Sequence, residues 1–269
     1  MVELLPLAAL LLLTGVVAGL AAGLLGVGGG IVIVPVLFYV FTQQGIDSSL
    51  CMHLAVGTSL ATIVVTAWRS ARSHYASGAV DLPLLRSWIA PVLAGVLAGS
   101  AVARVAGGAA LGLVFATVAL LVSLHMAFGR ESWRLAEAPP SGAARLALGT
   151  GIGFFSLLMG LGGGTLGVPV LTLFGLPIHR AVGTAAGLGL VISIPGALSF
   201  VASGWGVPEL PPLSLGYVNA LGFALIVPAT WFAAPLGVRL AHAAPRLTLR
   251  RLFALFLALT SLRMFAEVL

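Results

Sequence analysis

Two stretches of this chain hold residues that could bind an anion without a cofactor. Residues 26 to 37 read GVGGGIVIVPVL and residues 160 to 171 read GLGGGTLGVPVL. A glycine run that breaks an apolar helix leaves the N–H groups of the next helix start unpaired, where a partial positive charge of about half an elementary unit gathers. Gly28, Gly29 and Gly30, with Gly162, Gly163 and Gly164, are therefore the primary candidates for an oxyanion cradle. Glycine permits positive φ at the turn and lets a substrate oxygen approach the backbone. The competing explanation is tight helix crossing, which small residues also serve in membranes. Pro35 and Pro169 stand at matching places after the triplets. Each removes a backbone donor, which makes them candidate hinges.

A second phrase follows each triplet, HLAVGTS from His53 and HRAVGTA from His179. On a helix the threonine lies about 7 Å further in than the histidine. Thr58 and Thr184 could thus offer hydroxyls to a bound oxyanion, or bond the carbonyl one turn back. His53 and His179 sit at segment edges and serve either as interfacial caps or as proton carriers. Asn219 is the most polar residue well inside a span, where it either joins helices or touches substrate. No other constellation competes with these. The chain has no HExxH, no paired aspartates inside an apolar segment and one cysteine, Cys51. It is accordingly not read as an enzyme, and no cofactor or metal is expected.

The elements that must position these residues are membrane helices. Hydrophobic residues make up 60% of the chain and charged residues only 7%, and apolar stretches of 18 or more recur, which places it among polytopic all-α membrane proteins. The first segment, Leu4 to Gly23, lacks the basic start of a signal peptide and is read as a retained helix. A net charge of +6 would by itself be compatible with nucleic acid. Every basic residue is an arginine, however, and nearly all lie between apolar segments, a pattern that reports topology.

Full spans are expected at roughly 50–67, 84–103, 109–128, 180–201, 213–236 and 247–267. The pieces 4–42 and 145–175, each broken by a glycine triplet, either cross once or turn back. If they cross, seven arginines fall on one side and six on the other. If they turn back, only Arg104 and Arg263 lie on one face and the other eleven lie opposite. The positive-inside rule selects the hairpins and makes the arginine-rich face cytoplasmic. The returning arms, about 30–42 and 164–175, span only about 20 Å against a hydrocarbon core of about 30 Å. They are half-helices with buried N-termini. Each repeat, 1–135 and 136–269, then holds five membrane segments, so the copies are inverted and both chain ends lie outside.

The glycine and HxAVGT phrases, with the AlaSerGly corner at 76–78 leading to Asp81, resemble the TauE/SafE family of sulfite and organosulfonate permeases. The resemblance covers both halves. It implies a prokaryotic inner-membrane carrier for a small sulfur-containing anion such as sulfite, sulfoacetate or another sulfonate. Family members often carry a basic run after the second span, represented here by Arg69, Arg72 and His74, ahead of Gly78, Val80 and Asp81. In the second half Pro195 aligns with Arg69, and Glu209 with Asp81. All seven acidic residues lie in loops, at termini or at segment edges, which argues against an intramembrane proton relay. A potential negative inside expels a monoanion with about 2.3 kcal/mol per 100 mV, so export is the expected direction. A cation carrier or channel is the alternative, since half-helix carbonyl ends can coordinate metal ions. The Gly95 to Gly99 spacing suits either packing within one protomer or a homo-oligomer.

Overall fold

A computed structural model describes residues 4–25, 28–128, 135–136, 138–243 and 246–268. Ten helices form among them. The first half holds α1 (Leu4–Leu25), α2 (Gly30–Gln43), α3 (Ser48–Ala76), α4 (Leu82–Val105) and α5 (Gly108–Phe128). The second holds α6 (Gly142–Leu158), α7 (Gly163–Leu173), α8 (Ile178–Ser203), α9 (Ala220–Ala243) and α10 (Arg246–Val268). By length and apolar content six of them suffice to cross a bilayer: α1, α3, α4, α5, α8 and α9. Large apolar side chains such as Leu97, Leu121, Leu198, Phe232 and Leu259 point outward, as lipid-facing residues do. The chain is a multi-pass membrane protein.

The structure departs from the expected spans at α10, expected to cross at 247–267 but, with its four arginines, not among the six, and at α9, which begins at Ala220 rather than near 213. Ser214–Leu215 and Val218–Asn219 pair as two short antiparallel strands around Gly216, whose φ is 55°. Pro208, Pro211 and Pro212 lie ahead of them and deny a helix its donors.

Both glycine-broken pieces turn back. Ahead of α6, the Leu135 N–H donates to Leu173 O at the end of α7 at 2.7 Å, so the second hairpin enters and leaves on one side. In the first, α1 runs parallel to α9, with Gly15 against Ile226 and Ala229 and Gly19 against Thr230 and Ala233, while α2 returns to meet the start of α3. The return arms hold 14 and 11 residues, about 21 and 17 Å, too short to cross.

Small residues do the packing, as they must where lipid gives helices no hydrophobic reason to associate. Gly149 meets Pro91 and Gly153 meets Val92, which seats α6 on α4 as α1 sits on α9. Gly95 and Gly99 lie against Thr150, Phe154 and Leu157 of α6, so that spacing serves contact within the protomer. At the centre α3 and α8 run antiparallel, with Gly57 against Phe200 and Tyr217 and Gly183 against Ala79. Between α5 and α10, Ser123 Oγ donates to Ala254 O at 2.7 Å and Ser261 Oγ to Ala116 O at 2.6 Å. Exchanging the two halves maps Gly15–Ala229 onto Gly149–Pro91, Gly57–Tyr217 onto Gly183–Ala79 and Ser123–Ala254 onto Ser261–Ala116.

Candidate functional site

The two glycine tips meet at the middle of the molecule. In the first, Gly28 and Gly29 have φ of 74° and 76°, left-handed values that Cβ-bearing residues avoid, and α2 starts immediately after them. In the second the left-handed residue is Gly160, φ 66°, and Gly162 follows in extended form before α7 begins. A Cβ placed on Gly28 would lie 3.6 Å from Gly162 Cα, so the tips are neighbours. They are pinned to α3. Ser59 Oγ donates to Gly160 O at 2.8 Å, and a Cβ on Gly30 would be 2.6 Å from the same oxygen. Ser59 lies partway along the 29-residue α3, and from this level α2 and α7 leave in opposite directions. The starts of two half-helices therefore oppose one another partway along α3.

A cavity of about 510 Å³ reaches the tips along the last turns of α3. Gly28, Gly162, Gly163 and Gly164 form its inner end. The last turns of α3 line one wall with Thr66, Arg69, Arg72 and His74, and the facing helices contribute small residues, among them Ala22, Gly23, Ala186 and Ala234. Half-buried Arg69 is held with its guanidinium 4.1 Å from the Trp231 ring centroid, while Arg72 is exposed. Among the described residues the lining contains no carboxylate, and no cluster of histidine, cysteine or acidic residues able to hold a metal occurs. Leu60 and Leu157, outside the cavity lining, are fully buried and both pack on Gly196.

The other residues singled out in the sequence lie elsewhere. Thr58 and Thr184 are fully buried, and neither lines the cavity. Each instead clasps the opposite half: the Asn219 N–H donates to Thr58 Oγ1 at 2.9 Å and the Asp81 N–H to Thr184 Oγ1 at 3.0 Å. The same two corner residues cap the following helices, Asp81 Oδ1 accepting from Leu84 N–H at 3.1 Å and Asn219 Oδ1 from Gly222 N–H at 2.8 Å. Asn219, not Glu209, is thus the counterpart of Asp81. The alignment slips because the first corner has five residues, 77–81, and the second sixteen, 204–219.

His53 faces the other end of α3, where it lines a separate pocket of about 320 Å³ with Arg104 and Tyr217. Its ring nitrogens lie 3.0 Å from Ser49 O and 3.2 Å from Ala103 O. Burial pushes the neighbouring Tyr217 phenol above its usual range, which keeps it neutral. His179 is exposed at the start of α8, near His74. Pro35 and Pro169 lie within α2 and α7, which continue as helices through them. Trp231 and Thr66 were not anticipated. The α3 lining does have a helical signal in the sequence, since Ile63, Thr66, Ser70 and Ser73 recur every three or four residues. Trp231 has none, because its role exists only through contact between helices distant in sequence.

Comparison with known proteins agrees with this architecture. Residues 11–264 match the family described as "Sulfite exporter TauE/SafE". A "probable membrane transporter protein" of Haemophilus influenzae is 35% identical, over 96% of this chain and 98% of its own. Proteins of the same description from Methanocaldococcus jannaschii and Bacillus subtilis are each 26% identical, over 87% of this chain and 84% of the first, and 85% of this chain and 86% of the second. No solved structure matches. A family match across nearly the whole length, a relative alike from end to end and a membrane fold built around paired broken helices together identify the chain as a membrane transporter of the TauE/SafE family.

Proposed function

We propose that the protein exports a small sulfur-containing oxyanion, sulfite or a sulfonate, by alternating access between two inverted repeats. The observation that carries this reading is the cavity: its mouth holds Arg69 and Arg72, its described wall has no carboxylate, and its inner end is the meeting point of two half-helix starts. Gly28 and Gly162 to Gly164 receive the anion, with first-turn amides as donors. Arg69, oriented by Trp231, draws it in. In this state the site faces the arginine-rich side, which the positive-inside rule makes cytoplasmic, so both chain ends lie outside the inner membrane. Pro35 and Pro169 are the points at which the half-helices flex.

The antiparallel α3 and α8, with contacts that interchange when the halves are exchanged, support the inverted relation. The membrane potential supplies the driving force, since no described cavity residue is an acid that could relay protons. A cation carrier would need buried oxygen ligands where this wall presents arginines. The test is efflux of radiolabelled sulfite and sulfoacetate from proteoliposomes under an imposed potential, in the parent and in Gly28→Ala and Gly163→Ala proteins shown by thermal unfolding to remain folded. Flux in the parent that is lost in both variants supports the reading. Flux retained in both variants moves the site elsewhere, and flux of cations alone overturns the assignment.

A further inference from the structure

We propose that Ser156 and Ser193 are substrate contacts of a second vestibule, which opens on the arginine-poor face in the transporter's alternate state and is closed in this one. The inference rests on the alternating-access reading and extends it to residues outside the observed cavity.

The contacts between helices fix which residue of one half corresponds to which of the other. Gly15 on Ala229 answers to Gly149 on Pro91, and Gly19 on Thr230 to Gly153 on Val92. In that register, and in the register of the HxAVGT phrases, the cavity residues Ala22 and Ala67 correspond to Ser156 and Ser193. Gly23 and Ala186, also in the cavity wall, correspond to Leu157 and Leu60. Each of these four counterparts is 0% exposed. Where small residues leave the inner cavity open, the two leucines close on Gly196, at which a Cβ would lie 2.8 Å from Leu157 Cδ1 and 3.1 Å from Leu60 Cδ1.

Within this closed region the hydroxyls of Ser156 and Ser193 have no hydrogen-bond partner. Hydroxyls in other helices behave differently: Thr14 in α1 donates to Leu10 O, Thr42 in α2 to Phe38 O and Thr260 in α10 to Phe256 O, each one turn back. A buried hydroxyl left unpaired needs an explanation, and a second state that satisfies it supplies one. When Leu60 and Leu157 part, both serines line the counterpart of the inner cavity and can donate to an oxyanion at the tips. Ser59, which corresponds to the cavity residue Ala185, here donates to Gly160 O and is released for the same use when the tips shift.

The chemistry of this vestibule differs from that of the cavity. Its donors are neutral, and the position answering to Arg69 is Pro195. The anion is therefore held less tightly on the arginine-poor side, which favours release there.

Side-specific thiol labelling tests the proposal. In a Cys51→Ser background, Ala22→Cys, Ala67→Cys, Ser156→Cys and Ser193→Cys proteins are exposed to an anionic, membrane-impermeant methanethiosulfonate, in sealed cells and in inverted vesicles. The expected result is that the two alanine positions react from one side and the two serine positions from the other, with sulfoacetate slowing both. Reaction of all four from one side, or inert serine positions beside reactive alanine positions, overturns the vestibule. Ser156→Ala and Ser193→Ala proteins give a second reading that needs no cysteine. Each should raise half-saturation roughly three- to tenfold on the arginine-poor side alone. No change there overturns the contact role. Absence of sulfite and sulfonate flux in the parent strikes the anion reading instead, and leaves the labelling to decide the vestibule.

Discussion

At the first tip the chain turns through Gly28 and Gly29, both left-handed, whereas at the second it turns at Gly160 and runs extended through Gly162. The glycine triplets are the same letters in both. In the first half Gly28 and Gly29 are needed for backbone conformation and Gly30 for closeness. In the second, Gly163 is needed for closeness, since a Cβ there would lie 2.7 Å from Gly189 N and 2.8 Å from Ala185 O. The clasps differ in a similar way: Thr184 receives the N–H of an Asp81 that also pairs with Arg180 at 3.1 Å, and Thr58 that of a buried, neutral Asn219. A repeated motif can thus keep its place in a fold while the physical demand on each residue changes.

The largest effect should separate the tips. Gly29→Ala meets left-handed strain of about 1–2 kcal/mol together with overpacking of about 1–3 kcal/mol, its Cβ falling 2.9 Å from Ala18 O. Gly163→Ala meets overpacking alone, and Gly28→Ala, with nothing nearer than 3.6 Å, meets strain alone. Thermal unfolding in detergent should rank Gly29→Ala lowest, and equal losses for Gly29→Ala and Gly163→Ala would dissolve the distinction. Next come the clasps. Thr58→Val leaves the buried Asn219 N–H unpaired at about 1–3 kcal/mol, and Thr184→Val costs less because the Asp81 amide is only partly buried. The order of the two melting temperatures checks this.

A third comparison sets Arg69 against Pro195, its unmatched counterpart. Arg69→Gln should weaken anion uptake from the arginine-rich face about fivefold, from a charge interaction of about 1 kcal/mol, and the loss should shrink as salt is raised. A salt-independent loss would make Arg69 a packing residue. The smallest effect belongs to Arg180→Gln. The Arg180 side chain is 53% exposed, so its pair with Asp81 contributes about 0.5 kcal/mol or less, and melting should scarcely move.

Much of the fold was legible in the sequence because it depends on local patterns. The triplets marked the tips, and the distribution of arginines decided between crossing and turning back, since charge placement reports topology whatever the packing. The threonines read differently. Their position on the helix followed from spacing, but the corner amides that reach them belong to residues 103 and 161 positions away. Asn219 was recognised as polar within an apolar segment, yet its capping role was hidden by the longer second corner, which shifts the register between halves. Trp231 lay beyond reach for the same reason: a cation–π contact between α3 and α9 leaves no local trace.

The paired clasps carry one more implication. A bond from each half to the same place on the other is the geometry of an isologous contact, the kind made by two identical subunits about a two-fold axis. Joined in one chain, the halves no longer need to be interchangeable. A free half-length copy would have to enter the bilayer in both orientations and so could not favour either side with its charges. Fusion removes that constraint, which the proposed inverted topology, with eleven of the thirteen arginines on one face, puts to use.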